Sequence, residues 1–399
     1  MGVNKAAAVG ASVAMAMLAT GCVERLIYDH VCGNGIFTPG ELCLGQGSRR
    51  DVVVDTIAPL SLRTGDFDGD GNADLMVLGT EPSGIVAARM WLGDGDGGLS
   101  PPVDPGIGGC SAHPVVGSLG DDAADDVLVD DCGPSVSLFR GNAGSFQPAL
   151  TVTTGVATHG SGMLDLDGDG LREVVIFGSL PEDQGGLALS VSRQDSPGLF
   201  QPPSISNAEG GPLGLEPNGW SLLDYDGDDH RDVMLVQSDL PGGIAVARGL
   251  PGFTFGTPEP VGPPGLAVSW AAVRDLDGNG TEEVLAASYD AQTLIVLDFD
   301  DGQLVERRRS SIPGLQPSPI ALDDVDGNGT LDLVRVEPGL ANLDVWQGES
   351  DGRFVGPTSI ELDAPVDQIG LVDLDGDGAL DIVAGSFGES RIRVLLSDP

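Results

Sequence analysis

The chain has 399 residues, with 61 acidic against 19 basic side chains and a formal charge of −42. A surface this acidic excludes nucleic acid as a partner, because phosphate recognition needs the opposite sign.

In chain order, residues 1–21 ("MGVNKAAAVGASVAMAMLATG") hold one lysine and an Ala-rich apolar stretch from Ala6 to about Thr20. Roughly fifteen apolar residues are too few to span a bilayer, so the stretch is expected to be a signal peptide. "LATGC" resembles a bacterial lipobox, which implies that Cys22 becomes the lipidated first residue of an exported, outer-membrane lipoprotein held at the membrane by its lipid alone. An ordinary signal peptide with a free Cys22 is the alternative. Residues 22–50 form a tether. Five cysteines less Cys22 leave four, and an exported protein is expected to pair them. Cys32 and Cys43 lie in "VCGNGIFTPGELC", which resembles a short C-G-[ND]-G…G-E-x-C module of some bacterial surface proteins; a simple stapled loop is the other reading.

From residue 51 onward the chain repeats. "RRDVVVDTIAP" offers a spare strand from about Val52 to Ile57. Seven acidic loops follow, starting at Asp66, Ser118, Asp165, Asp224, Asp275, Asp324 and Asp373, spaced 52, 47, 59, 51, 49 and 49 residues apart. A short apolar stretch precedes each loop and another follows it, so the loop joins two antiparallel strands. A third stretch such as "LDVWQGESDGRFVGP" ends in a Gly/Asp turn, an aromatic or Leu, and then Pro. It reads as strand three, a hairpin and an outer strand four, where Pro is tolerated because an edge can spare a donor. A period near fifty holds one four-stranded unit. The last unit lacks its fourth strand, and the spare N-terminal strand supplies it. The expected fold is all-β, a seven-bladed propeller over residues 51–399 closed by an N-terminal strand.

The loop "DLDGDGLRE" is not an EF-hand. Position twelve from Asp165 is Ile176 rather than a bidentate Glu, and "VVIF" has strand composition. The pattern D-x-D-G-[DN]-G-x-x-[DE] between strands, recurring about every fifty residues, resembles the FG-GAP/VCBS repeats of integrin α-subunit heads. That resemblance implies a Ca2+ ion in the first hairpin of each blade, held by positions one, three, five, seven and nine, position seven through its backbone carbonyl. The residues are Asp66, Asp68, Asp70, Asn72 and Asp74; Asp165, Asp167, Asp169, Leu171 and Glu173; Asp224, Asp226, Asp228, His230 and Asp232; Asp275, Asp277, Asn279, Thr281 and Glu283; Asp324, Asp326, Asn328, Thr330 and Asp332; and Asp373, Asp375, Asp377, Ala379 and Asp381. Ser118 and Gly120 break the pattern in loop two, leaving Asp122 and Asp126, so about six calcium sites are expected and blade two is expected to be empty. Cys110 and Cys132 flank that loop, and a disulfide between them would substitute for calcium in blade two.

Acids at positions one, three, five and nine number 24 and account for much of the negative charge. Without a cation, such clusters repel themselves. The four histidines, His30, His113, His159 and His230, share no ligand spacing, and His159 near Ser161 has no nucleophile elbow around it. Trp91 and Trp346 occupy matching third strands and are expected to pack between blades; Trp220 and Trp270 precede their loops and are expected in the core. No catalytic constellation stands out. The expected function is a calcium-stiffened, surface-anchored module binding a protein or glycan, with "SISNAEGGPLGLEPNGW" as its recognition loop. A polysaccharide lyase on the same scaffold and a purely structural envelope protein are the alternatives.

Overall fold

The computed structural model describes residues 42–44, 49–54, 57–110, 114–119, 122–180, 187–207, 219–228, 230–236, 242–300, 303–315, 320–337, 340–362, 364–386, 388 and 390–397. All lie within one compact unit, Val31–Pro399. The signal peptide, Cys22, Cys32, His30, His113 and residues 208–218 of the expected recognition loop fall outside the described residues.

The architecture is all-β: seven antiparallel sheets arranged as propeller blades. In blade five the strands Trp270–Arg274, Glu283–Ser288, Thr293–Asp300 and Gln303–Ser311 pair in chain order. Blade six repeats this with Ile320–Asp323, Asp332–Val336, Asn342–Gly348 and Phe354–Glu361. Second strands such as Asp74–Thr80, Glu173–Ser179 and Asp381–Ser386 are almost wholly buried. That is why they read as unbroken apolar runs instead of alternating ones.

Each blade buries both faces against its neighbours, since successive side chains of a strand point to opposite faces. On the second strand of blade four, Val233 and Leu235 pack with Val175 and Phe177 of blade three, while Met234 and Val236 pack with Val284 and Ala286 of blade five. The described core divides into seven such clusters, one at each blade boundary. Trp91 (blade one, against blade seven) and Trp346 (blade six, against blade five) sit between blades as expected. Trp220 is half-buried and lies over Gly160 and Gly162 of the neighbouring inner strand, where a Cβ at Gly162 would meet its ring at 2.7 Å. Trp270 packs against the boundary of blades five and six.

The ring closes through the N-terminal strand Arg49–Val53, which pairs antiparallel with Arg391–Leu395 from Arg49↔Leu395 to Val53↔Arg391. The closing strand therefore begins upstream of the expected Val52. Leu44 of the tether is already buried in the cluster between blades six and seven, so the tether's end belongs to the propeller. Blade one differs as well. Its sheet holds three strands, and the outer segment joins it by the isolated bridge Met90↔Val103 and the Arg89–Asp104 ion pair instead of a continuous ladder. Pro101, Pro102 and Pro105 remove the donors that a continuous fourth strand would need.

Cys110 and Cys132 are joined, with Cα atoms 5.5 Å apart. The bond joins the pair expected from the sequence: Cys132 lies one residue before the end of the strand Asp126–Gly133, six residues and roughly 20 Å from the last residue of the acidic loop, Asp126. The bridge fastens the opposite end of the hairpin instead of occupying the cation position. Cys43 is also disulfide-bonded. Among the described residues, no helix is long and apolar enough to cross a membrane.

Candidate metal centres at the blade boundaries

Each acidic loop opens on an inner strand and closes into a buried second strand, so its backbone is fixed at both ends. Within the loop, two glycines make the tight path possible. At position four φ runs from 65° (Gly327) to 76° (Gly69), and at position six from 87° (Gly170) to 90° (Gly71). Side chains with a Cβ rarely adopt such angles. Loop four carries Asp229 at position six, outside the described residues.

The acids divide into three jobs. Position one folds back on the loop: Asp66 Oδ1 accepts the Gly69 N–H at 2.7 Å and Oδ2 the Gly71 N–H at 2.9 Å. Asp165 and Asp373 do the same; Asp275 and Asp324 accept the N–H groups of positions five and six (Asn279 and Gly280, Asn328 and Gly329), and Asp224 accepts the Gly227 N–H. Position five forms a turn in which Asp70, Asp169, Asp228, Asn279, Asn328 or Asp377 accepts the N–H of position seven. Position seven is thus Asn72, Leu171, His230, Thr281, Thr330 or Ala379 with no shared side-chain chemistry, and the His230 side chain is exposed.

Position nine is a bracket. Asp74 is completely buried; one oxygen accepts the N–H of Phe67 at position two, the other the N–H of Gly93 after the third strand. Asp232 and Asp332 repeat both bonds with Tyr225 and Gly249, and with Val325 and Gly348; Asp381 does so with Leu374 and Ser397. Asp126 of blade two makes the same pair with Leu119 and Gly141 although the acids at positions one and three are missing there. Position nine therefore ties the loop to the third strand whether or not the loop is built for a metal. Sequence patterning missed this role, because the second donor lies fifteen to nineteen residues away.

Burial pushes these carboxyls up, against the opposing pull of the backbone donors: Asp74 and Asp126 to about 6, and Glu173, Asp332 and Asp381 to about 7. Asp232 and Glu283 move in the same direction for the same reason. Neighbouring loop acids add to the rise in all seven. A cation would relieve both the burial and the crowding.

The donor set fits a hard divalent ion. In loops three to six, positions one, three and nine bring oxygens within 4.8 Å of one another, and in loop one positions one, three and five do so. Asp375 Oδ1 in loop seven is buried without a hydrogen bond. In loop three the Gln194 N–H lies near Glu173, yet no hydrogen bond of normal geometry reaches Glu173 Oε1. Unpaired buried carboxylate oxygens beside further acids are what Ca2+ coordination would satisfy. Asp122 in loop two instead lies 3.7 Å from the Arg140 guanidinium.

The centres lie where blades meet. The Gly97 N–H of the blade-one hairpin donates to Leu374 O in loop seven, and the blade-four hairpin at Gly252 and Phe253 lines a cavity of about 160 Å³ with Asp167 of loop three. Adjacent loops also touch: the Asp125 N–H donates to Asp66 O at 2.6 Å and the Leu331 N–H to Leu276 O at 3.1 Å. A cation in one loop would stiffen that boundary. Away from the loops, His159 Nε2 pairs with Ser179 Oγ at 2.5 Å rather than with Ser161. His159 is the extra residue of a β-bulge between Thr158 and Gly160.

A family model described as an FG-GAP-like repeat matches residues 224–286 and 324–384, which begin at loops four and six and run through the next loop in each case. The chain thus carries FG-GAP-like repeats. No curated protein matches the sequence. Among solved structures, BBS1N in complex with ARL6DN is similar at 11% identity, covering 88% of this chain and 96% of that one with a TM-score of 0.52. The exotype rhamnogalacturonan lyase YesX is similar at 13% identity, covering 88% of this chain and 76% of that one with a TM-score of 0.51. At these identities the likeness is one of fold.

Proposed function

We propose that this FG-GAP-repeat propeller is an extracytoplasmic binding module whose blade boundaries are stiffened by calcium and whose surface recognises a protein or a glycan. The observation that carries the reading is the repeated loop: a preorganised carboxylate cage recurs at blade boundaries, in two cases with a buried carboxylate oxygen left unpaired. Such cages make a rigid disc, and rigid discs present loops for recognition. The Cys110–Cys132 disulfide supports an oxidising compartment. The "LATGC" stretch supports lipidation at Cys22 and placement in a bacterial outer membrane; Cys22→Ser would then abolish incorporation of labelled palmitate.

The alternative, a polysaccharide-cleaving enzyme on a calcium scaffold, rests on a fold shared with a rhamnogalacturonan lyase. One experiment separates the two. The mature chain is incubated with rhamnogalacturonan and with immobilised envelope polysaccharides and surface proteins, in calcium and in chelator. Calcium-dependent retention without unsaturated sugar products supports the binding module. Release of unsaturated products contradicts it.

A further inference from the structure

The acidic loops are not equivalent in the basic side chains that approach them. In loop five Arg307 Nη2 lies 3.1 Å from Asp277 Oδ2 and Nη1 lies 3.4 Å from Glu283 Oε1, so one guanidinium spans loop positions three and nine. A third carboxylate, Asp298, lies 3.5 Å from Nη1. Asp277 and Glu283 are two of the three acids whose oxygens converge in this loop. Their side chains are 9% and 3% exposed, and that of Arg307 is 25% exposed, so little water screens the group.

The backbone is shaped to place this side chain. Strand three pairs Val296 with Arg308 and Leu297 with Glu306, which leaves Arg307 as the extra residue of a β-bulge. Bulges re-aim side chains. Above the guanidinium, the blade-six hairpin presents Gly352, where a Cβ would stand 3.0 Å from Nη2. The loop also carries one acid fewer than loop one, with Asn279 at position five. In loops three and four, Arg193 and Arg248 reach the position-three acid at 3.7 and 2.7 Å, Arg193 also lies 3.5 Å from Asp195, and their side chains are 43% and 49% exposed. Each also stands over an aromatic ring, Phe253 or Tyr225, and both are more exposed than Arg307, which is held by a bulge, a glycine and three carboxylates. In loop six the corresponding neighbour is Gln347, a neutral donor to Asp326 at 2.6 Å.

From this geometry we infer that Arg307 is the resident cation of loop five, and that calcium occupies the other acid-complete loops but not this one. The inference rests on the calcium reading of the loops. It predicts five bound ions, in loops one, three, four, six and seven, where the sequence pattern alone counts six.

Native mass spectrometry of the mature chain in excess calcium counts the ions. Five in the wild type and six in Arg307→Gln support the inference. Asp277→Asn, which needs no large rearrangement, provides a second arm: it leaves the count unchanged, whereas Asp326→Asn lowers it by one. Six ions in the wild type, or a loss of one in Asp277→Asn, overturn the inference and leave the calcium reading standing. No bound calcium in any form overturns the calcium reading and the inference with it.

Discussion

At the scale of the residue, one loop pattern hides two kinds of acid. Positions one and three converge with position nine in loops three to six and with position five in loop one, and position nine is in addition a buried bracket between the loop and the third strand. Replacing Asp126 in blade two by Asn turns one acceptor into a donor facing a buried N–H, a change of about 2 kcal/mol. Urea unfolding is expected to register that loss equally in calcium and in chelator. Asp68→Asn, which touches a cage acid, is expected to lose stability only when calcium is present. The raised carboxyls make a pH prediction. Their unfolded value is about 4, and folding raises it to about 6 for Asp74 and Asp126 and about 7 for Asp332 and Asp381. The folded chain therefore binds these protons more tightly, and their contribution is complete below about pH 4 and lost as pH climbs through 6 to 7. Chelated protein is expected to melt at progressively lower temperature between pH 5 and 8. Calcium, which binds the ionised form, flattens that slope. A chelated protein whose melting temperature rises over this range would contradict the assignment.

At the scale of the element, blade two carries a disulfide at the end of its hairpin away from its acid-poor loop. Cross-linking Cys110 to Cys132, 22 residues apart, restricts the unfolded chain by about 3 kcal/mol. A Cys110→Ser/Cys132→Ser variant is expected to lose that much in guanidinium unfolding, with and without calcium alike. Removing residues up to Val54 uncovers the edge Arg391–Leu395, and such a chain is expected to associate or unfold at lower temperature by scattering and calorimetry. The strands, the loops and this closure were legible because each rests on a local, repeated signal: glycines at positions four and six, acids at alternate positions, an apolar run after position nine. The start of the closing strand was not, since Arg49 and Arg50 look like tether until Val394 and Leu395 are placed beside them. Nor was Arg307. Its sequence context, "ERRRSS", is three consecutive arginines, and only the bulge selects which of them turns toward Asp277.

At the scale of the whole molecule, stability is shared among seven apolar boundaries, and the cages lie beside them. A boundary cluster such as Val175, Phe177, Val233 and Leu235 contributes about 2 kcal/mol per buried side chain, independent of metal. Against it stands the repulsion of a chain with 61 acids and 19 bases. A site with a Kd one hundred times below the calcium concentration stabilises the fold by about 2.7 kcal/mol. A few such sites exceed the margin by which domains of this kind stay folded. On the function proposed above, calcium is a condition for the propeller to stay folded. The most direct test is thermal unfolding of the mature chain in calcium, in magnesium and in excess chelator. A large rise specific to calcium is the predicted result, because calcium takes a carboxylate- and carbonyl-rich oxygen set, whereas magnesium keeps several of its waters. Equal melting temperatures in all three conditions would contradict the account at its centre.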